Sequence, residues 1–211
     1  PWYELGLHCM KLATSEDCEE LAISYEKVGR CYTWKENREQ NFDKAKQNFQ
    51  IALDMNLRLR NAIRDGKKLS RLIDSENYDL NAAEGHIAGT YMELGRMYQE
   101  MKDYEQALEC IVKHEEITAV YQPENLSGLA YSYYDQGFCH YHLGLQARAH
   151  GDIVTAMEEF QQAAQKLEDA LSTNMKMRGP LAIDTIVNQE LLADVYVAMA
   201  QGLYDKASSG Y

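Results

Sequence analysis

One short segment, Cys139-His140-Tyr141-His142, gathers side chains that could hold a metal ion. Thiolate and imidazole groups are the usual ligands of zinc, and they must converge on one point to bind it. On a helix, residues 139, 140 and 142 point in different directions, because successive side chains are about 100° apart. We therefore predict structural roles for Cys139, His140 and His142 rather than a metal site.

The sequence lacks the common motifs of catalytic sites. It contains no P-loop, no G-x-G-x-x-G, no H-E-x-x-H and no G-x-S-x-G. The remaining histidines are scattered along the chain and suggest no catalytic constellation. We predict a protein that is not an enzyme and that uses no cofactor.

The charge balance limits the partners that this chain could bind. It has 21 Lys and Arg residues against 33 Asp and Glu residues, a net charge of -12, which opposes binding to nucleic acid or anionic membranes. One segment departs from this balance, because it contains six cations and Asp65 is its only acidic residue. It is either a docking segment for an acidic partner surface or a solvated helix face, and both interpretations stay open. The six cations are Arg58, Arg60, Arg64, Lys67, Lys68 and Arg71.

Cysteine usage points to a reducing compartment. The five cysteines are odd in number and form no C-x2-C pair, so we expect reduced thiols between helices and predict a cytoplasmic protein. No apolar stretch approaches the roughly 20 residues that a bilayer-spanning helix needs. Because the chain starts at Pro1 and stops at Tyr211 inside a helical pattern, we expect it to be an excised fragment.

Helices must position all of these residues. The chain has only three prolines and no run of alternating apolar residues typical of a strand, so we predict an all-α fold. Turn signals such as Asp65-Gly66, Gln122-Pro123 and Gly179-Pro180 separate the predicted helices. These cover residues 2–13, 14–38, 41–64, 67–73, 79–101, 103–120, 124–150, 152–176, 181–200 and 203 onward.

A repeated pattern of small and bulky residues organises these helices. Tyr91-x2-Leu94-Gly95-x2-Tyr98 is followed by Tyr104-x2-Ala107-x3-Ile111. The small residues allow two helices to approach closely, and the bulky residues fill the seam around them. Three further copies are Tyr25-x2-Val28-Gly29-x2-Tyr32 with Ala45-x3-Phe49-x2-Ala52, His140-x2-Leu143-Gly144-x2-Ala147 with Ala156-x3-Phe160-x2-Ala163, and Leu192-Ala193-x2-Tyr196 with Gly202-x-Tyr204-x2-Ala207.

This pattern resembles the tetratricopeptide repeat (TPR) almost position for position. The second-helix alanines at 45, 107, 156 and 207 are 62, 49 and 51 residues apart, so the chain is most similar to long-helix members such as rapsyn and the kinesin light chains. The resemblance implies a right-handed superhelical solenoid of antiparallel helix hairpins with longer than standard helices. In the single solenoid over 1–211, the implied units are 1–15 (partial repeat or cap), 16–73 (repeat 1, extended second helix), 79–121 (repeat 2), 124–177 (repeat 3) and 181–211 (repeat 4, truncated).

In the TPR family, the first helices line a concave groove that binds a partner. The resemblance places Arg30, Met92, Arg96, Gln99, Phe138, Tyr141, Leu145 and Arg148 in that groove, with Glu190, Asp194 and Val197 continuing it. The arginines either fix an acidic anchor of the partner or bridge to glutamates of neighbouring repeats, and both readings stay open. Glu26, Met92 and Tyr141 stand where some family members carry a lysine that clamps chaperone tails, so a different partner is implied.

The resemblance implies a non-catalytic scaffold or adaptor that binds a peptide or helix of another protein. The alternative is a ligand- or peptide-sensing regulatory TPR domain of a larger bacterial regulator. Flanking sequence separates the two, because a DNA-binding helix-turn-helix favours the sensor and further repeats favour the scaffold. Exposed solenoid ends also predict that copies of the chain can associate with one another.

Overall fold

The computed structural model describes residues 2–13, 18–33, 41–66 and 78–208. Within these ranges there is no β-strand, which confirms the prediction of an all-α fold. The described helices are α1 (Trp2–Ala13), α2 (Glu19–Thr33), α3 (Phe42–Arg64), α4 (Leu80–Glu100), α5 (Tyr104–Tyr121), α6 (Leu126–Ala149), α7 (Ile153–Arg178) and α8 (Ile183–Ser208).

The helices divide into two compact units. Unit 1 runs to Met101 and includes Glu116–Gln122, whereas unit 2 contains Lys102–Glu115 and the residues from Pro123 onward. In unit 1, α2 packs against α1 and α3, and α3 packs against α4. In unit 2, α7 packs against both α6 and α8. Within each unit, helices that follow one another in the chain are therefore neighbours in space.

Two of the pattern glycines mark very close helix crossings. A Cβ atom added to Gly29 would lie 2.7 Å from the Phe49 ring, and one added to Gly144 would lie 2.6 Å from the Phe160 ring. Both phenylalanines are fully buried. They occupy the same place in their copies of the pattern, so two copies make the same contact. The prediction of tight crossings is confirmed at residues 29 and 144.

The turns into α5 and α7 are also alike. Lys102 and Gly151 both have positive φ, at 62° and 82°, a backbone conformation that favours glycine. An aspartate follows each of them and caps the next helix. Asp103 Oδ1 accepts a hydrogen bond from Gln106 N at 3.2 Å, and Asp152 Oδ1 accepts one from Thr155 N at 3.0 Å.

An apolar part of the unit 2 core lies between α7 and α8. Phe160 and Leu167 of α7 pack with Leu192, Val195 and Ala198 of α8 in one buried cluster. Successive residues of this α8 set are three positions apart, a spacing that brings side chains to one face of a helix. That face holds α8 on unit 2 and leaves its opposite face outward.

The fourth copy of the pattern does not form the predicted crossing. Ala193 is exposed, and Tyr196, the expected seam aromatic, is 47% exposed. The close approach in α8 occurs instead at Gly202, where an added Cβ would lie 2.7 Å from Met157 Sδ. Moreover, α8 is one helix over Ile183–Ser208, so the prediction of separate helices at 181–200 and from 203 onward was wrong.

Elsewhere the predicted helices agree closely with the structure. The end of α3 at Arg64 was predicted, and α4 to α7 begin and end within about two residues of the predictions, the usual uncertainty of helix ends. The predicted helix at 67–73 lies outside the described residues, as do positions 14–17 and 34–38 of the predicted helix over 14–38.

Candidate partner-binding surfaces

Some of the side chains that were predicted to line the groove lie close together in unit 2. On α6, Arg148 Nη1 donates a hydrogen bond to Gln201 Oε1 of α8 at 2.9 Å. Burial raises the pKa of the Tyr141 hydroxyl, and the charge of Asp194 raises it further, while Arg148 acts in the opposite direction. Tyr141 is therefore close to both charges. We call Tyr141, Leu145 and Arg148 of α6, with Asp194 and Gln201 of α8, the α6/α8 face.

The apolar part of this face rests on the unit 2 core. Tyr141 and Leu145 are half-buried and pack against the α7/α8 cluster. The Tyr141 ring lies 6.1 Å from the Phe160 ring, measured between centroids. Because Phe160 is itself held at Gly144, the rings have a rigid support. The face thus has a fixed aromatic and aliphatic centre with polar groups beside it.

Phe138 belongs to an aromatic cluster around His142. The His142 ring stacks on Tyr104 at 4.7 Å and meets Phe138 edge-on at 4.4 Å, with Tyr141 at 5.4 Å. Burial lowers the pKa of His142, and the positive charge of Lys102 lowers it further. The imidazole is therefore neutral at pH 7 and packs as an aromatic ring.

Cys139, His140 and His142 have different surroundings. Cys139 is buried, His140 Nδ1 lies 2.7 Å from Glu159 Oε2, and His142 lies among the rings described above. This confirms the prediction that their side chains diverge on one helix. Among the described residues, no group of three or more His, Cys, Asp or Glu side chains is placed to hold a metal ion.

The predicted groove residues of unit 1 are used differently. Met92 is only 7% exposed, so its side chain is part of the core and offers little area to a partner. Arg30 Nη1 lies 3.8 Å from Glu93 Oε1 on the neighbouring α4, which favours the bridging interpretation for this arginine. Arg96 is exposed and Gln99 is half-buried. Since Arg148 belongs to unit 2, an anchor shared by three arginines stays a prediction.

The basic segment supplies partners for a buried carboxylate. Glu84 of α4 is 2% exposed, and its Oε1 lies 2.7 Å from Arg64 Nη2 and 3.7 Å from Arg60 Nη1. Arg64 Nη2 also donates to the Tyr121 hydroxyl at 3.2 Å. A buried carboxylate needs such partners, so Arg60 and Arg64 stabilise the packing of α3 on α4. This role was in neither sequence interpretation.

Of the other cations of the basic segment, the structure describes only Arg58. Arg58 is exposed on α3. Lys67, Lys68 and Arg71 lie outside the described residues. A docking role for the segment therefore stays a prediction, with Arg60 and Arg64 already engaged by Glu84.

A second buried polar cluster in unit 1 was not foreseen. The Thr90 hydroxyl contacts Glu26 Oε1 and lies 2.9 Å from the His86 carbonyl oxygen. Asn56 Nδ2 donates to the same hydroxyl at 3.3 Å, and Asn56 Oδ1 is buried without a partner. Burial raises the pKa of Glu26 despite its hydrogen bond to Thr90. The Thr90 hydroxyl carries a single proton, so it donates either to Glu26 Oε1 or to the His86 carbonyl oxygen.

Only one sequence signal could have indicated this cluster. Glu26 comes directly after Tyr25 of the first pattern copy, and Thr90 comes directly before Tyr91 of the second copy. The two polar residues thus stand next to core residues in adjacent copies. Pairing them requires the crossing geometry of α2 and α4, which no spacing along the chain provides.

Comparison with known proteins does not assign a family. No family model matches the chain, and no curated protein matches it. In the part of the chain that the structure describes, no helix combines the length and apolar character needed to cross a membrane. Functional inference rests on the residues themselves.

Proposed function

We propose that this chain is a TPR-like, non-catalytic scaffold that binds a peptide or helix of another protein on its α6/α8 face. The support for a repeat architecture is the shared contact of Gly29 with Phe49 and of Gly144 with Phe160. The capped turns at Asp103 and Asp152 are a second shared feature. A solenoid of stacked hairpins is the architecture that best accounts for both.

One observation carries the choice of site. Residues predicted from the repeat pattern to line a groove, Tyr141, Leu145, Arg148 and Asp194, lie on one face of unit 2. Tyrosine and leucine supply apolar contact area at its centre, and Arg148, Asp194 and Gln201 supply polar groups at its edge. An apolar centre with a polar rim is the usual composition of a protein-binding surface.

The charges of the face define how a partner would bind. Arg148 spans from α6 to Gln201, a neutral group that a partner carboxylate can replace as hydrogen-bond acceptor. Asp194 lies on the same face, so the partner needs an acidic group and a basic group rather than an acidic anchor alone. Met92 is excluded from the binding set because it is buried, and Phe138 contributes by fixing the rings beside Tyr141.

A reducing compartment forms part of the same proposal. The five cysteines, all among the described residues, form no disulfide bond, and Cys139 is buried in unit 2. Thiols of this kind are typical of cytoplasmic proteins.

Selection of peptides from a random display library tests the proposal. We expect enriched peptides to bind the native chain and to lose about tenfold or more in affinity with the double substitution Leu145→Ser and Arg148→Gln, because both the apolar and the ionic contact are lost. Lys176→Gln, which removes an exposed cation from α7, serves as the control and should leave binding unchanged. Peptides that bind the double variant as well as the native chain would rule out this face.

A further inference from the structure

A second surface, distinct from the centre of the α6/α8 face, lies on the outer side of α8. This helix carries more exposed large hydrophobic side chains than any other described helix. They are Ile183, Ile186, Val187, Tyr196, Val197, Leu203 and Tyr204. Val197 is 56% exposed and Tyr204 is 74% exposed, far above the level of residues that pack within a core. Exposed apolar side chains grouped on one helix are typical of an interaction site.

The exposed residues follow the spacing of a coiled coil. Starting at residue 183, steps of three and four residues lead to 186, 190, 193, 197, 200 and 204, and every one of these positions is exposed. We call these residues the α8 seam: Ile183, Ile186, Glu190, Ala193, Val197, Ala200 and Tyr204. Glu190 and Val197, which were predicted to continue the groove, thus lie on the outer side of α8. Apolar residues at alternating steps of three and four are the pattern with which one helix packs along another.

The register of α8 on unit 2 is fixed by its inner face. Leu192, Val195 and Ala198 are buried in the unit 2 core, and Gly202 lies against Met157. These positions lie on the side of the helix opposite to the seam. The seam is therefore held outward on a rigid support, so a partner helix would bind a surface that is already ordered.

The small residues of the seam set the shape of its partner. Ala193 and Ala200 alternate with the larger Val197 and Tyr204, which leaves shallow depressions seven residues apart. A depression of this size receives a bulky side chain of a facing helix, since knobs on one helix fill holes on the other. A regular helix with leucine-sized residues at heptad spacing would fill these depressions.

The charges of the seam decide between kinds of partner. Glu190 lies within the seam and Asp194 lies one turn further along, and both are exposed. No lysine or arginine occurs between Ile183 and Tyr204. A second copy of this chain would bring its own Glu190 and Asp194 toward these acids and would add its net charge of -12, which opposes association. A helix with basic residues beside its apolar seam meets the same surface with attraction.

We propose that the α8 seam binds an amphipathic helix of another protein, with lysine or arginine facing Glu190 and Asp194. The interaction is of the helix-pairing kind, in which apolar seam residues provide affinity and the flanking charges select the partner. It does not depend on a peptide occupying the α6/α8 face.

Two designed helical peptides of four heptads provide the test. Both carry leucine and alanine at the seam positions, one has lysine at the flanking positions and the other has glutamate there. Binding to the native chain is measured by fluorescence anisotropy at low and moderate salt. We expect the lysine peptide to bind at least about tenfold more tightly than the glutamate peptide, and the difference to shrink as salt screens the charges.

Substitutions on α8 identify the site. Glu190→Lys with Asp194→Lys should reverse the preference between the two peptides, whereas Glu105→Lys with Glu109→Lys, an equally spaced and exposed pair on α5, should preserve it. Ala193→Gln with Ala200→Gln fills the depressions without changing charge and should weaken both peptides about tenfold or more. Ala119→Gln, at an exposed position of α5, is the matched control for bulk.

Several results would overturn the proposal. The proposal fails if neither peptide binds, or if the glutamate peptide binds as tightly as the lysine peptide. It also fails if the α5 controls weaken binding as much as the α8 variants. Sedimentation that shows a dimer of the native chain, abolished by Ala193→Gln with Ala200→Gln, would instead assign the seam to a second copy. Arg148→Gln separates the two surfaces, because it should reduce binding at the α6/α8 face and leave the lysine peptide unaffected.

Discussion

Units 1 and 2 share a helix contact but differ in what surrounds it. In both, a glycine of one helix receives a fully buried phenylalanine of the next, Gly29 with Phe49 and Gly144 with Phe160. Around Phe160 the α7/α8 core is apolar, whereas unit 1 buries the carboxyl groups of Glu26 and Glu84. The same crossing therefore occurs beside an apolar cluster in unit 2 and, in unit 1, within a unit that has buried carboxyl groups. Burial of those carboxyl groups makes the stability of unit 1 sensitive to pH and to ion pairing.

The largest effects should come from the shared contact. We expect Phe49→Ala and Phe160→Ala each to lower the free energy of unfolding of their own unit by about 3 to 5 kcal/mol, because each leaves a large cavity. Hydrogen exchange followed helix by helix measures each unit separately. Tyr131→Ala, at a 40% exposed position of α6, is the control and should cost far less. Similar losses at Tyr131 and Phe160 would show that the crossing does not dominate stability.

Removing the partners of Glu84 tests the ionic part of unit 1. Arg60→Gln with Arg64→Gln should destabilise unit 1 by about 2 kcal/mol, since it leaves a buried carboxylate without a cation. Lys27→Gln, which removes an exposed cation of α2 in the same unit, should change stability by less than about 0.5 kcal/mol. The measurement is urea denaturation monitored by hydrogen exchange of α3 and α4. An equal effect of Lys27→Gln would point to general charge rather than to this pair.

The Glu26 cluster should make the stability of unit 1 depend on pH. Burial raises the pKa of Glu26 in the folded state, and the facing groups Thr90, His86 and Arg30 only partly offset it. The folded state then binds a proton more tightly than the unfolded state, so stability falls as the pH rises from the unfolded pKa to the folded pKa. The Glu93 carboxylate acts in the same direction as burial.

Replacing this carboxyl group should remove that dependence. Glu26→Gln keeps the shape and a donor for Thr90, and we expect it to stabilise unit 1 at pH 7 by about 1 kcal/mol and to flatten its pH profile. Denaturation between pH 4 and pH 7 measures the difference. A native profile that is already flat, or one that rises with pH through this group, would contradict a raised pKa for Glu26.

The smallest effect is expected at Arg148. Its hydrogen bond to Gln201 is exposed, and such contacts contribute little to stability. Arg148→Gln should therefore change the free energy of unfolding of unit 2 by less than about 0.5 kcal/mol. A loss comparable to that at Phe160 would assign Arg148 a structural role and would weaken its place on the binding face.

The sequence predicted close helix crossings best where a glycine occupies the small position of the pattern. Leu94-Gly95 and Leu143-Gly144 indicated repeat positions, and the Gly144 crossing is present. Leu192-Ala193 was misread, because a leucine next to an alanine is common on any helix face and does not require a close approach. The true register of α8 follows Leu192, Val195 and Ala198 into the core, with Gly202 as its close contact.

The two proposed binding surfaces were only partly predictable from the sequence. Tyr141, Leu145 and Arg148 were placed by repeat position, and they lie on one face with Asp194. Met92 was placed by the same rule but is buried, because burial depends on the neighbours of α4 rather than on position in the repeat. The partners of Glu84 and Glu26 lie 20 and 64 residues away in sequence. Such pairs are set by how helices cross, which spacing along a chain does not specify.

The matching crossings have a consequence for exchange of parts between the units. Residues 45–52 read AKQNFQIA and residues 156–163 read AMEEFQQA. In both segments a phenylalanine lies between two alanines in the sequence and packs against a glycine of the neighbouring helix. A segment that fits one glycine should therefore fit the other, provided that the outward positions keep their local neighbours. The phenylalanine and its flanking alanines are therefore the part of the segment that should be exchangeable between the units. The remaining positions can differ in sequence without changing this contact.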